Sequence, residues 1–115
     1  MSDLLSWAEH EFKLNQPDDK GITSREHLKE VERQTGVTPK ELKNPTEFPI
    51  LLRHLWFAFV RLSKRRTSGF SGPDPLTPTF VKDWLDLSEE ELRPWEVEAI
   101  FALDDKFMEV TRDRH

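Results

Sequence analysis

The chain has no cysteine. That excludes disulfide staples, thiolate zinc sites and a cysteine nucleophile, and it suits a reducing cytoplasm. Apolar residues are scarce. They make up 36% of the sequence, against roughly 45–50% for globular proteins when glycine is counted, while charged residues reach 34%. No apolar run approaches the about 20 residues that span a bilayer, so no membrane partner is expected. Asp3 and Glu9 interrupt the start and no small-residue cleavage site follows an apolar run, so no signal peptide is expected. Positive charge is not in surplus either. A formal charge of −5 argues against a general nucleic-acid binder, whose footprint is basic. No segment alternates with the period of two that marks a strand.

What apolar content there is lies concentrated. The 115 residues suffice for one domain, and four Trp and eight Phe sit mainly at helical spacings. The densest stretch runs from Pro49 to Leu62, with Arg53, His54 and Arg61 as its polar breaks. A helix apolar on nearly every side is either buried on most faces or covered by a partner. It should begin near Phe48, with Pro49 tolerated in its first turn, and run to Lys64–Arg66, about 25 Å at 1.5 Å per residue. Leu52, Trp56, Phe59 and Val60 make one face, and Leu51, Leu55, Ala58 and Leu62 the adjoining one. Lys64, Arg65 and Arg66 suit the negative end of its dipole.

Around this element the sequence reads as short helices. Residues 2–14 carry a stripe of Leu4, Leu5, Ala8 and Phe12 with Trp7 beside it, and Ser2 can cap them. The stripe is short, so this helix is expected to lie on the body rather than within it, and the polar N-terminal third to be loose. Residues 15–21 form a turn or linker. Thr23 and Glu26 form a capping box for a helix to about Gln34, with Leu28 and Val31 inward and Gly36 ending it. Thr38, Pro39 and Glu41 start another turn or two. Residues 67–76, rich in Gly, Pro and Ser, are a loop in which Phe70 is an anchor on the body or an exposed contact, anchoring being the expectation. Thr77-Pro78 opens a helix with Phe80, Val81, Trp84 and Leu85 on one stripe. Pro94 opens the last, with Trp95 beside it, Glu96 at its third position, and Ile100, Phe101, Leu103 and Phe107 inward. The expected fold is all-α, five to six short helices packed around a central hydrophobic helix at about 48–65. The parts are an N-terminal helix and linker (1–21), a helical domain (22–110) and a frayed tail (111–115).

No catalytic, cofactor or metal constellation emerges. His10, His27, His54 and His115 lack metal-ligand spacing, and His54 reads as a satisfied core or edge histidine. His10 between Glu9 and Glu11 reads as surface. Asp104 and Asp105 diverge by about 100° on a helix, so one faces the core edge and the other water. The charge distribution is uneven. Arg53 to Arg66 holds five bases and no acid, whereas Lys82 to Glu109 holds ten acids against three bases. Solvated helix faces account for this, and self-association or steering to a charged partner does too. The Trp, Phe and Leu of the central helix, beside Arg, are residue types that dominate binding hot spots; core alone and core plus interface both remain open.

The run Leu55-Trp56…Leu62-Ser63-x-Arg65-Arg66-x-Ser68-Gly69-Phe70-x-Gly72-Pro73-x-Pro75-Leu76-Thr77 resembles the central signature of tail assembly chaperones of long-tailed, siphovirus-type bacteriophages. Trp84-Leu85…Leu92-x-Pro94-Trp95-Glu96-Val97…Leu103-Asp104 is similar to their C-terminal signature, and Arg25-Glu26-His27-Leu28…Gln34-Thr35-Gly36 to an upstream segment. The likeness spans Thr23 to Val110. Arg93 departs from it, standing where a Thr or Ser cap is expected. The resemblance implies a non-enzymatic protein, made in the host bacterial cytoplasm during infection and absent from the virion. It would hold the tape measure protein soluble and hand it to the tail tube protein. Leu52, Trp56 and Phe59, with Trp95 and Phe101 close by, Arg65 and Arg66 on the rim, and Phe70 nearby, are the residues expected to bind protein; this set comes from the residues and not from the family. The other readings are a small all-α phage protein that binds or inhibits a host protein, and a minor structural tail component.

Overall fold

The computed structural model describes residues 1–113. It is mostly helical, with five α-helices and a tiny two-stranded hairpin, so the all-α expectation holds. In order the elements are α1 (Ser2–Leu14), α2 (Ser24–Thr35), a 3-10 turn (Lys40–Leu42), a second 3-10 turn (Ile50–Leu52) leading into α3 (Arg53–Lys64), β1 (Ser68–Gly69), β2 (Gly72–Pro73), α4 (Pro78–Ser88) and α5 (Pro94–Asp113). The frame is α5 with α1 and α3 laid against it.

Helix α1 lies within the body rather than on it, contrary to the expectation from its short stripe. Leu4, Ala8 and Phe12, at i, i+4 and i+8, are buried in the same cluster as Leu55, Phe59 and Leu62 of α3 and Ile100 and Leu103 of α5. Full burial of Leu4 and near-full burial of Phe12 contribute about 1.5–3 kcal/mol each before the entropy cost of ordering. The N-cap position is Met1, not Ser2.

Helix α2 is the reverse case. It has no buried side chain, and Val31, expected inward, is exposed. Its ends are fixed by local chemistry. Thr23 Oγ1 accepts the Glu26 N–H, and Gly36 closes the helix in the left-handed region at φ 74°. Asp18 organises the preceding turn, its carboxylate accepting the N–H groups of Lys20 and Ile22 and lying 2.7 Å from His27 Nε2. Arg25 pairs with Glu11, tying α2 to α1.

The central helix is shorter than expected as α-helix. Its first turn, Ile50–Leu52, is 3-10, closed by the Leu52 N–H donating to the Pro49 carbonyl at 2.8 Å, and Pro49 itself sits outside the helical region at ψ 92°. Helix α4 has the predicted Thr77 cap, whose hydroxyl accepts the Phe80 N–H. It ends on Glu89 in the left-handed region, φ 57°. Replacing Glu89 by Gly should stabilise the protein by about 1 kcal/mol, removing left-handed strain and an acid from the negative end of a helix dipole. A higher urea midpoint at unchanged slope is the expected reading, and a lower midpoint contradicts it. Helix α5 continues past Val110, and Thr111 is buried. Arg114 and His115, the end of the expected frayed tail, lie outside the described residues.

Candidate partner-binding surface

Helix α3 has two faces with different fates. Leu55, Ala58, Phe59 and Leu62 are buried, and six aromatic rings converge on that side. Trp56 meets Trp7 edge-on at 4.8 Å between centroids and Phe12 at 5.6 Å; Phe59 meets Phe12 at 5.7 Å and Phe107 at 6.4 Å. Offset and edge-on contacts of this kind add about 0.5–1.5 kcal/mol per pair beyond the area they bury. The groove expected along Leu52, Trp56 and Phe59 is therefore covered from within the chain by α1, leaving a shallow depression of about 280 Å³ at its edge. The buried side draws on both faces expected from the sequence, Phe59 from one and Leu55, Ala58 and Leu62 from the other, while Leu51, grouped with the latter, is exposed because it precedes α3 in the 3-10 turn.

Arg66, expected on a binding rim, is sealed inside. Its Nη2 lies 2.7 Å from Asp104 Oδ1, with both side chains 4% exposed or less. Its guanidinium donates to the Asp74 carbonyl at 3.0 Å and to Ser63 Oγ, and stacks 4.3 Å from the centre of the Phe107 ring. Asp104 Oδ2 accepts the Leu76 N–H at 2.9 Å. One buried ion pair thus joins the end of α3, the whole 67–76 connection and the middle of α5. Asp105 faces water, so the two acids divide as their 100° separation predicted. The basic and acidic stretches of the sequence meet here and at two more places, Arg61 with Glu90 at 2.8 Å and His54 with Glu96 at 2.6 Å. Part of the charge asymmetry is spent inside the fold.

The opposite face of the central helix is bare. Ile50, Leu51 and Phe57 are 62%, 86% and 55% exposed. With His54 and Arg61 they follow the i, i+3, i+4, i+7 spacing of one outward stripe. The stripe borders an open groove of about 720 Å³ with His54, Phe57, Arg61 and Lys64 on the α3 wall and Glu90, Glu91 and Glu96 on the other. Trp95, next to Glu96 at the start of α5, is half exposed. Arg65 is exposed at the end of α3. Phe101 is half-buried in a separate groove between α4 and α5. The eight residues expected to bind protein therefore do not form one surface: Phe59 and Arg66 are in the core, Leu52 and Trp56 pack against it, and Arg65, Phe70, Trp95 and Phe101 lie in different places. Phe70 is not an anchor. It stands fully exposed at the tip of the hairpin formed by β1 and β2. Ile50, Leu51 and Phe57, outside the expected set, are the apolar residues that the chain leaves in water on the far side of the central helix.

Glu96 organises the start of α5. Its Oε1 accepts the Arg93 N–H at 2.9 Å, so the acid at the third position does the capping although Arg93 replaces the usual hydroxyl. That backbone donor first, and His54 after it, hold the Glu96 carboxyl below its ordinary value of 4.5, against partial desolvation. A depressed carboxyl contributes stability that is present above 4.5 and is lost as pH falls through its lower folded value. Glu96→Gln should therefore lower the urea midpoint at pH 7 and change it less at pH 3; an equal loss at both contradicts this.

Among the described residues no three His, Asp or Glu side chains gather as a metal set, and no helix is long and apolar enough to cross a membrane. Comparisons with curated proteins and with solved structures find no match. A sequence model of the phage tail assembly chaperone family matches residues 31–109, from the middle of α2 to the last turns of α5. That stretch includes the outward stripe, the buried Arg66–Asp104 pair and the hairpin, and it leaves out α1. Covering well over half of the sequence, the match means that this chain belongs to the phage tail assembly chaperone family.

Proposed function

We propose that this protein binds apolar helical stretches of the tape measure protein, keeps that chain soluble and delivers it to the polymerising tail tube protein. It does so in the host cytoplasm during infection and is absent from the finished virion. The supporting observation is the outward stripe of the Ile50–Leu52 turn and α3. A fold that has already sealed one aromatic face of its central helix keeps Ile50, Leu51 and Phe57 in water on the other. Exposed apolar side chains of that kind, with Phe57 on the wall of the groove that Arg61, Lys64 and Glu91 also line, are characteristic of protein-docking surfaces. The groove suits the apolar face of an amphipathic helix, and a carrier that must be displaced needs many moderate contacts rather than one tight site. The role asks for binding and release, with no bond made or broken.

Co-expression with the tape measure protein of the same phage tests this. The partner, insoluble alone, should become soluble and co-purify with the chaperone, and mass spectrometry of purified virions should not find the chaperone. A tape measure protein that stays in the pellet contradicts the reading. Recovery of the chain in virions favours a minor structural component instead.

A further inference from the structure

The cations of the central helix are not all matched within the fold. Arg66 is buried against Asp104, and Arg61 pairs with Glu90. Lys64 and Arg65 stand exposed where α3 ends, with no acid partner among the described residues. Together with Arg61 and Trp84 they line an open hollow of about 360 Å³ that no acid lines. Trp84 packs against the core from α4, and the Arg61 guanidinium lies 5.3 Å from its ring centre, so the mouth of the hollow is held in place.

The hollow continues the outward stripe. Phe57, Arg61 and Lys64 follow i, i+4, i+7 spacing, so the apolar part of the stripe and its cationic end share one side of the helix, about 10 Å apart along its axis. The acids of the neighbouring groove lie beside the earlier turns. Glu96 is held by His54 and the Arg93 N–H, and Glu90 by Arg61, while Glu91 is exposed on that wall. An acid on a docked helix is therefore repelled beside Glu91 and attracted beyond Arg61.

We propose that this face recognises an amphipathic helix of another protein whose apolar side is preceded, about two turns away, by Asp or Glu residues that enter the hollow of Arg61, Lys64, Arg65 and Trp84. Charge complementarity selects that occupant, since the hollow has three bases and no acid. A nucleic acid fits less well. The cations continue into Ile50, Leu51 and Phe57, which a phosphate backbone leaves in water, and the chain as a whole carries −5. Acids are favourable in the first turns of a helix, where its dipole is positive, so the bound helix runs antiparallel to α3. Such selection rests on the reading that the outward face docks a helix, and it adds which helical stretches of a long partner are held.

Isothermal titration of the full chain with synthetic helical peptides tests it. One peptide carries a leucine stripe with Glu residues in its first turns, and the other has Lys in their place. The Glu peptide should bind about 5-fold or more tighter, and the gap should narrow with added salt. Lys64→Glu combined with Arg65→Glu should reverse the preference; both side chains are exposed, and a melting temperature near the parent's checks the fold. Should that variant fail to fold, Lys64→Gln combined with Arg65→Gln should abolish the preference. A Glu peptide that does not bind, or binds no tighter than the Lys peptide, overturns the proposal. So does a folded charge variant that keeps the parent's preference, or a DNA duplex that binds tighter than the Glu peptide at the same salt. Because the probes are synthetic, a tape measure protein left in the pellet contradicts the proposed function without touching this result, and failure of the peptides leaves that function standing.

Discussion

Replacing Arg66 by Met should destabilise the protein by about 3–5 kcal/mol, the usual cost of leaving one member of a buried ion pair without its partner. For a domain of this size that lowers the melting temperature on the order of 10–20 °C. The substitution strands the Asp104 carboxylate, which has 3% of its side chain exposed, and removes the donor to the Asp74 carbonyl. Restoring the balance with Asp104→Leu should recover part of the loss and not all of it. The Leu76 N–H, which donates to Asp104 Oδ2, is then buried without an acceptor. Asp104→Asn in the same background keeps an acceptor and should recover more. Calorimetric melts of the four proteins check the order. An Arg66→Met protein that melts within a few degrees of the parent would mean that the buried pair does not hold the fold.

The second large effect is at Phe59. Truncation to Ala should cost about 3–5 kcal/mol, the range for emptying a packed aromatic site. Phe59 is 2% exposed and touches rings from α1 and α5. Phe57→Ala, two residues away on the same helix and over half exposed, should stay within about 0.5 kcal/mol of the parent. The pair of midpoints reports which face of α3 is inside. Similar losses at both positions contradict the orientation described here.

These two cases show what the sequence could and could not reveal. The helix boundaries were legible because they are local chemistry. Thr23, Gly36, Thr77-Pro78 and Pro94 each set an end through a cap or a fixed φ, and the structure places the ends there. Burial was less legible because it depends on distant partners. Arg66 in isolation reads as a cation at a helix C-terminus, and only its approach to Asp104, thirty-eight residues on, makes it internal. The short stripe of α1 is narrow for a core helix, yet Ala8 and Leu4 are fully buried against α5 and α3. Phe70 carries no local signal that separates an anchor from a protrusion; the hairpin geometry decides it. The all-round apolarity of residues 49–62 was the most informative pattern. It implies apolar residues on two sides, and periodicity alone does not say which side the chain covers itself.

The proposed function requires the outward face formed by Ile50, Leu51 and Phe57 to be the surface that meets the partner. The direct measurement is the soluble fraction of the co-expressed tape measure protein with the parent chain and with Leu51→Asp combined with Phe57→Asp. Both side chains are exposed, so the double variant should fold with an unchanged melting temperature. The parent should keep the tape measure protein in solution, and the folded double variant should leave most of it in the pellet. A folded double variant that solubilises the partner as well as the parent does would contradict it.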